Sequence, residues 1–346
     1  IVLKGVVAAY QVAQTYHLDI IHTQTEFGVG MLGKLVARQL KIPVIHTLHT
    51  KYEDYVHYIA KGKILRPGMV KYIIKSYLFG VDGIIVPSAI VLDIVNGYGV
   101  NLEKRVISTG IELNKFVRPE ITAEDCVDLR ASLGILPDET MLLSLSRIAE
   151  EKNIQSIVKH LATIRDQVKV KLVIVGSGPY ADKLQKLVSD LALDDIVIFT
   201  GLVDNSQTAY YYKAADFFIS ASTSETQGLT YIEALASGTP VLATDNAYLQ
   251  SLITEPVFGR LFASDDDIAA TILAAITETP SFDQARYDQK LYEISAENFA
   301  LRVYEFYLDK IISNDQYLAE KGESIPRRTA RIVRQAPGKT VKTVAR

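Results

Sequence analysis

The chain has 346 residues, is 48% hydrophobic and 22% charged, and carries a formal charge of -3, a globular composition with room for two domains of about 150 residues each. No run of about twenty apolar residues occurs, which excludes a membrane-spanning helix, and a lone cysteine, Cys126, excludes an internal disulfide and suits a reducing cytosol. The charge is uneven: residues 324–346 hold seven basic and no acidic side chains, whereas residues 1–323 hold 30 basic and 40 acidic ones. Such an acidic globule is not expected to bind nucleic acid. Its basic tail either contacts an anionic surface or has no binding role.

The chain opens without methionine inside a helical pattern at residues 2–16, so it is expected to be a fragment that lacks its true start. Apolar runs then predict strands at 19–22, 44–47, 83–86 and 105–108, with helices at 28–39 and 88–96 among them. Residues 112–139 break the rhythm with Pro119, Pro137 and several acids, which places a linker at 113–139. Six more strands follow at 140–146, 171–175, 196–200, 217–221, 240–243 and 259–262, with helices at 154–165, 180–191 and 265–277. A last helix at 300–312 is long enough to return to the first domain. Strands alternating with helices predict parallel sheets built by right-handed crossovers. The expected layout is a first Rossmann-like domain at 1–112 lacking its opening strands, the linker, and a second Rossmann-like domain at 140–299. A crossover helix at 300–318 and a flexible basic tail at 319–346 complete it.

The run from Ser224 to Pro240 carries the clearest chemistry. Glu225 falls on the loop at the carboxyl end of a predicted strand, and Glu233 falls two turns inside the helix that follows. Ligands bind at that edge of an open α/β sheet, and two carboxylates there suit a ligand rich in hydroxyls. Free N–H groups around Gly228, Leu229 and Thr230 at the helix start favour an anion. Arg147 and Lys152 follow the strand at 140–146, where a guanidinium and an ammonium suit a diphosphate; the alternative is that both pair with Glu150 and Glu151. Gly176-Ser177-Gly178-Pro179 is half of a dinucleotide fingerprint, equally read as a tight turn with Pro179 opening the helix and lining the nucleotide side.

His49 sits at the exit of a first-domain strand, where a ligand would be met, while His46 reads as a satisfied core side chain. His46-x-x-His49 lacks the HExxH pattern, and Asp265-Asp266-Asp267 reads as helix capping, so no metal site is expected. The segment 51–79 interleaves Lys51, Lys61, Lys63, Arg66, Lys71 and Lys75 with Tyr55, Tyr58 and other tyrosines and aliphatics. That pattern suits the headgroup layer of an anionic membrane, or else a core face with solvated lysines.

With these residues in place, the chain resembles the retaining glycosyltransferases of the GT-B class, in which two Rossmann-like domains face each other across a cleft. The acidic pair with Gly238-Thr239-Pro240-Val241 matches that family's E-x7-E motif. The resemblance implies that Glu225 binds donor-sugar hydroxyls, Glu233 the ribose, Arg147 and Lys152 the diphosphate, and His49 the donor sugar near its anomeric carbon. His22-Thr23-Gln24-Thr25-Glu26-Phe27, residues 45–62 and residues 224–236 resemble more narrowly the bacterial diacylglycerol glucosyltransferases. Thr226-Gln227-Gly228 stands where the wider family commonly has Gly-Phe-Gly.

The resemblance implies a peripheral enzyme on the inner face of the cell membrane that moves glucose from UDP-glucose to diacylglycerol, without a cofactor or metal. Family members carry a glycine-rich loop after their first strand and this chain starts beyond it, so the parent enzyme is expected to be active and this chain alone inactive, or poorly folded in its first domain. Two other readings stay open: the same donor chemistry with another acceptor, and a non-catalytic nucleotide-sugar or lipid-binding module.

Overall fold

A computed structural model of the chain describes residues 2–49, 67–225, 227–278 and 280–323. They form two compact units, Ile1–Ser108 with Phe299–Arg346, and Thr109–Asn298.

The first unit holds a four-stranded parallel sheet, β1 (Ile21–Thr23), β2 (Val44–Thr47), β3 (Gly83–Val86) and β4 (Lys104–Val106), paired in that order. The helices of this unit are α1 (Val2–Thr15), α2 (Gly28–Leu40), α3 (Pro67–Leu78) and α4 (Ala89–Gly97). β2 and β3 are buried along their whole length, in keeping with the apolar run of β3, and β2 buries His46 and Thr47 beside Val44 and Ile45. Their side chains still sort by alternation. Val44, Ile84 and Val86 pack with Ala37 of α2, Leu78 of α3 and Val91 of α4. Ile45 and Ile85 point the other way, onto Val303 and Phe306. Those two belong to the last helix, Ala296–Glu320, which covers this second face. Gly83 makes room for it: a Cβ there would lie 2.6 Å from the Phe306 ring. Arg105 closes the contact, with its guanidinium 4.5 Å from the ring centre and 2.6 Å from the Asp309 carboxylate.

The second unit opens with α5 (Ala123–Ser132). Its six parallel strands are β5 (Thr140–Leu145), β6 (Val170–Val175), β7 (Val197–Gly201), β8 (Phe217–Ser220), β9 (Val241–Thr244) and β10 (Gly259–Phe262). They pair in the order β10-β9-β8-β5-β6-β7. The chain thus starts mid-sheet, builds outward through β7, and returns to the other side of β5. That reversal is the topological switch point of a doubly wound fold. Crossover helices α6 (Ile154–Ile164), α7 (Ala181–Asp190), α8 (Thr208–Ala214), α9 (Leu229–Ala236) and α10 (Ala247–Leu252) link the strands, followed by α11 (Ile268–Thr277) and α12 (Gln284–Glu293). Leu142, Ile174, Ile219 and Leu242 pack under α6, α7 and α11. On the opposite face, Phe218 lies between Tyr212 of α8 and Tyr231 of α9, with ring centres 5.8 Å from each.

Residues 113–139 are not a linker. They carry α5, whose acids serve its start: Thr122 and Asp125 form a reciprocal capping box. Arg130 of α5 then bonds Ala214 O and the Asp216 carboxylate, both at 3.0 Å. The break between units falls instead at Ser108/Thr109 and again at Asn298/Phe299. The last helix, taken as α13, also exceeds its predicted span at both ends. Pro179 stands in the turn before α7 and does not open the helix.

Truncating Phe306 to alanine should destabilise the first unit by about 3–5 kcal/mol, since a buried aromatic is lost and its cavity stays. Phe79→Ala, at a residue 86% exposed, should stay within about 0.5 kcal/mol. Denaturant midpoints of the two variants give the comparison.

Candidate functional site

The switch point places two loops side by side. The one after β5 runs through Ser146 and Arg147 to a 3-10 turn, Glu150–Lys152, and enters α6 through Asn153, which is left-handed at φ 52°. The Asn153 amide donates to both oxygens of Asp265, at 3.3 and 3.1 Å, and so fixes the turn that presents Lys152. The loop after β8 carries Glu225 and ends at Gly228, the residue that caps α9. Gly228 is required twice. Its φ of 71° is left-handed, and a Cβ would lie 2.5 Å from the Tyr231 ring.

These loops bring Lys152 onto Glu225: the ammonium donates to the carboxylate Oε1, with both side chains about four-fifths buried. Arg147, half exposed, pairs with Glu151 on its own loop. Arg147 thus follows the alternative reading, a pairing with Glu151, while Lys152 meets Glu225, a partner that neither reading named. Gly228 offers no side chain to cap α9, so the helix start near Leu229 and Thr230 presents its N–H groups beside this carboxylate–ammonium pair.

Glu233 lies little more than one turn into α9, nearer the helix start than the sequence suggested. Its Oε2 accepts a 2.9 Å bond from the Tyr212 hydroxyl. Burial raises the Glu233 carboxyl above its ordinary pKa, and the Tyr212 bond opposes that shift. Gly176 and Gly178 act on the loop after β5. A Cβ at either would fall 2.0 Å from Ser146 O or 2.2 Å from Ile148 O. Ile148 N donates to Ser177 O at 2.9 Å, and Tyr180 N to Ile148 O at 3.1 Å. The two glycines therefore let the turn lie against the backbone that carries Arg147.

In the first unit a second polar group gathers at the carboxyl ends of β1 and β2. His46 is fully buried between the Thr23 hydroxyl at 2.9 Å and Glu26 Oε1 at 3.2 Å. Tyr77 of α3 donates to Thr23 at 2.9 Å. His22 has Tyr307 of α13 at 2.5 Å on Nδ1 and Thr47 at 2.6 Å on Nε2. His49, exposed at the exit of β2, bonds through Nε2 to Gln24 Oε1, and the same amide's nitrogen lies 3.3 Å from His22 Nε2. Burial pushes the His22 imidazole down from 6.5 to about 4, helped by His46 and then His49. His49 is lowered too, first by burial and then by His46, with Glu26 opposing. Sequence reasoning did not single out Gln24 or Tyr212; their only signal is the partner each one reaches.

On α3, Ile74, Tyr77 and Leu78 are buried while Lys71, Tyr72 and Lys75 are exposed, and Phe79 is exposed just past the helix end. Lys71 Nζ donates to Gly97 O at 2.6 Å. Lys51, Tyr55, Tyr58, Lys61, Lys63, Arg66 and the tail from residue 324 lie outside the described residues. Asp265–Asp267 is a capped turn in which Ser264 and Asp267 bond reciprocally. Among the described residues no cluster of three or more metal-ligating side chains occurs.

Residues 2–115 match the family described as Glycosyltransferase Family 4, and residues 127–291 match Glycosyl transferases group 1. Over 340 residues the chain is 55% identical to the alpha-monoglucosyldiacylglycerol synthase of Streptococcus pneumoniae, covering 98% of this chain and 77% of that protein. It is 31% identical over 315 residues to the protein of the same name from Acholeplasma laidlawii, covering 88% and 78%. Among solved structures it is similar to sucrose-phosphate synthase from Thermosynechococcus elongatus, with a TM-score of 0.70 and 24% identity over 90% of this chain and 78% of that one. The chain belongs to the family 4 and group 1 glycosyltransferases, enzymes of the GT-B class.

The His22 shift sets a pH dependence. Between 6.5 and about 4 the unfolded chain takes up a proton at His22 that the folded chain refuses. Stability from this group is therefore present above 6.5 and lost as pH falls toward 4. Urea midpoints measured from about pH 7.5 to about pH 4.5 should fall more steeply for the native protein than for His22→Gln.

Proposed function

We propose that this glycosyltransferase moves glucose from UDP-glucose to the free hydroxyl of diacylglycerol, with retention, forming α-monoglucosyldiacylglycerol. The observation that carries the donor half is the Lys152–Glu225 pair at the switch point, beside the uncapped start of α9. An ammonium, a nearby guanidinium and a helix N-terminus match a diphosphate, and a carboxylate on the same loop matches sugar hydroxyls. The acceptor half is supported by the 55% identical relative, whose name states that product.

In this reading Lys152 turns from Glu225 to the diphosphate, and Arg147 leaves Glu151 to join it. Glu225 then accepts from the sugar hydroxyls, and Glu233 accepts from the ribose through the oxygen that Tyr212 does not hold. The acceptor oxygen bonds to the anomeric carbon as the bond from that carbon to the β-phosphate oxygen breaks. The acceptor's proton passes to the departing phosphate on the same face, which accounts for retention without a covalent enzyme intermediate. Charge that develops on the diphosphate is met by Arg147, Lys152 and the α9 N–H groups. These cationic groups take the place that a metal would fill, so the reaction runs without one.

The outer face of α3, with Lys71 and Lys75 beside Tyr72 and Phe79, supports peripheral contact with an anionic membrane on its inner, cytoplasmic side. Among the described residues no helix is long and apolar enough to cross a membrane.

The test, run on the parent enzyme, is transfer from UDP-glucose, UDP-galactose or GDP-mannose to diacylglycerol in anionic vesicles, with and without EDTA. UDP-glucose should be used best and EDTA should change nothing; preference for another donor, or loss of turnover with EDTA, would overturn the corresponding part. Glu225→Ala should lower turnover by about 100-fold or more while its circular dichroism stays native; near-normal turnover removes the role given to Glu225. A Lys71→Glu, Lys75→Glu double variant should bind anionic vesicles more weakly by about 1 kcal/mol per lysine, read by vesicle co-sedimentation, and bind neutral vesicles unchanged.

A further inference from the structure

The loop that carries Glu225 is anchored two residues further along, at Gln227. Gln227 is 5% exposed, and both ends of its amide are used on one residue. Thr109 N donates to Gln227 Oε1 at 2.9 Å, and Gln227 Nε2 donates to Thr109 O at 2.7 Å. The side chain thus pairs with the Thr109 backbone as a neighbouring strand would. Tyr248, itself buried, adds a side-chain hydrogen bond to Gln227.

The seat on which the amide rests is held from its other side. A Cβ at Gly110 would fall 2.0 Å from Ser295 O, so only glycine allows this approach. Ile111 N donates to Ile294 O at 3.0 Å, and Ala296 N to Ile111 O at 2.8 Å. Thr109 therefore belongs to a short seam, bonded to residues 294–296, at the start of the second unit. Two residues before Gln227 stands Glu225, and directly after it Gly228 opens α9. A phenylalanine here would fill volume, yet leave the Thr109 N–H and C=O without the partners that the amide supplies.

We propose that Gln227 is a positioning residue: by fastening the loop after β8 to the Thr109 backbone, it holds Glu225 where the sugar of the donor is bound. The inference rests on the reading of Glu225 as the sugar-binding carboxylate. Glu233 stands on α9 and has its own support in Tyr212. Loss of the Gln227 anchor therefore falls on the sugar half of the donor and spares the nucleotide half.

Gln227→Met keeps the length of the side chain and removes both polar atoms. Gln227→Glu keeps an acceptor for Thr109 N–H but turns a second acceptor toward Thr109 O. In both variants the KM for UDP-glucose should rise about tenfold or more, the scale set by losing a buried hydrogen-bond pair, while the inhibition constant of UDP stays within about twofold of the native value. That unchanged constant also reports a folded nucleotide site. An unchanged KM overturns the proposal. Equal weakening of UDP and UDP-glucose overturns it as well, because the amide would then support the whole unit and not the sugar side. Glu225→Ala assayed in parallel separates the two levels. If it impairs UDP-glucose use while Gln227→Met does not, only this inference fails; if it too is harmless, the reading beneath it fails.

Discussion

A parallel sheet entered at its middle strand cannot be covered evenly. The crossover from β5 to β6 leaves to one side and the chain later returns through β8 on the other, so the loops following β5 and β8 diverge from adjacent strands. Neither loop is needed to close the sheet, and both end at the start of a helix. Every group that the proposed function assigns to the diphosphate hangs on that one gap. Lys152 comes from the first loop, Glu225 from the second, and the start of α9 supplies backbone N–H groups. The glycines at 176 and 178 and the Asn153–Asp265 bonds keep the first loop in place. The Gln227–Thr109 pairing does the same for the second.

The first unit solves a different problem. Its sheet edge gathers His22, His46 and His49, and burial, with His46 close by, works against charging His22 and His49. The polar atoms of these rings are met by hydroxyls, an amide and a carboxylate: Thr47 and Tyr307 for His22, Thr23 and Glu26 for His46, Gln24 for His49. A ring that stays neutral keeps one donor and one acceptor nitrogen, and the tautomer follows from its neighbours. The long helix α13 thus has two tasks. Phe306 seals the apolar face of the sheet, and Tyr307, one residue on, reaches the histidine group.

The strands were legible because they are buried on both faces, and short β-branched apolar runs such as Val44–Thr47 and Gly83–Val86 suit a doubly covered strand better than a helix. Glu225, Lys152 and the glycine before α9 were legible for a related reason: charged residues and glycine at strand exits have no packing role there. Legibility failed where a residue's meaning depends on a distant partner. The acids and proline near residue 120 read as a linker, yet Thr122 and Asp125 cap a helix that Arg130 ties to Ala214. Pro179 matched a helix start but sits in the turn ahead of it. Gln24 and Gln227 carry no charge, and the motifs they stand in assign neither of them a role. Their roles exist only because folding brings His49 and Thr109, 25 and 118 residues away, within bonding distance.

The Lys152–Glu225 pair also bears on which ligand the proposed site favours. Both groups are about four-fifths buried, so each depends on the other for its charge to be met. Taking one partner from a fully buried pair costs about 3–5 kcal/mol, and the residual exposure here places the cost below that. On the proposed reading, a diphosphate alone draws Lys152 away and leaves the carboxylate short of partners. A diphosphate bearing a hexose replaces both interactions together, the phosphate for the lysine and the hydroxyls for the glutamate. On that reading, the same pair that joins the two loops favours the intact donor over the product left after transfer, which is the direction a transferase needs if its spent nucleotide is to leave.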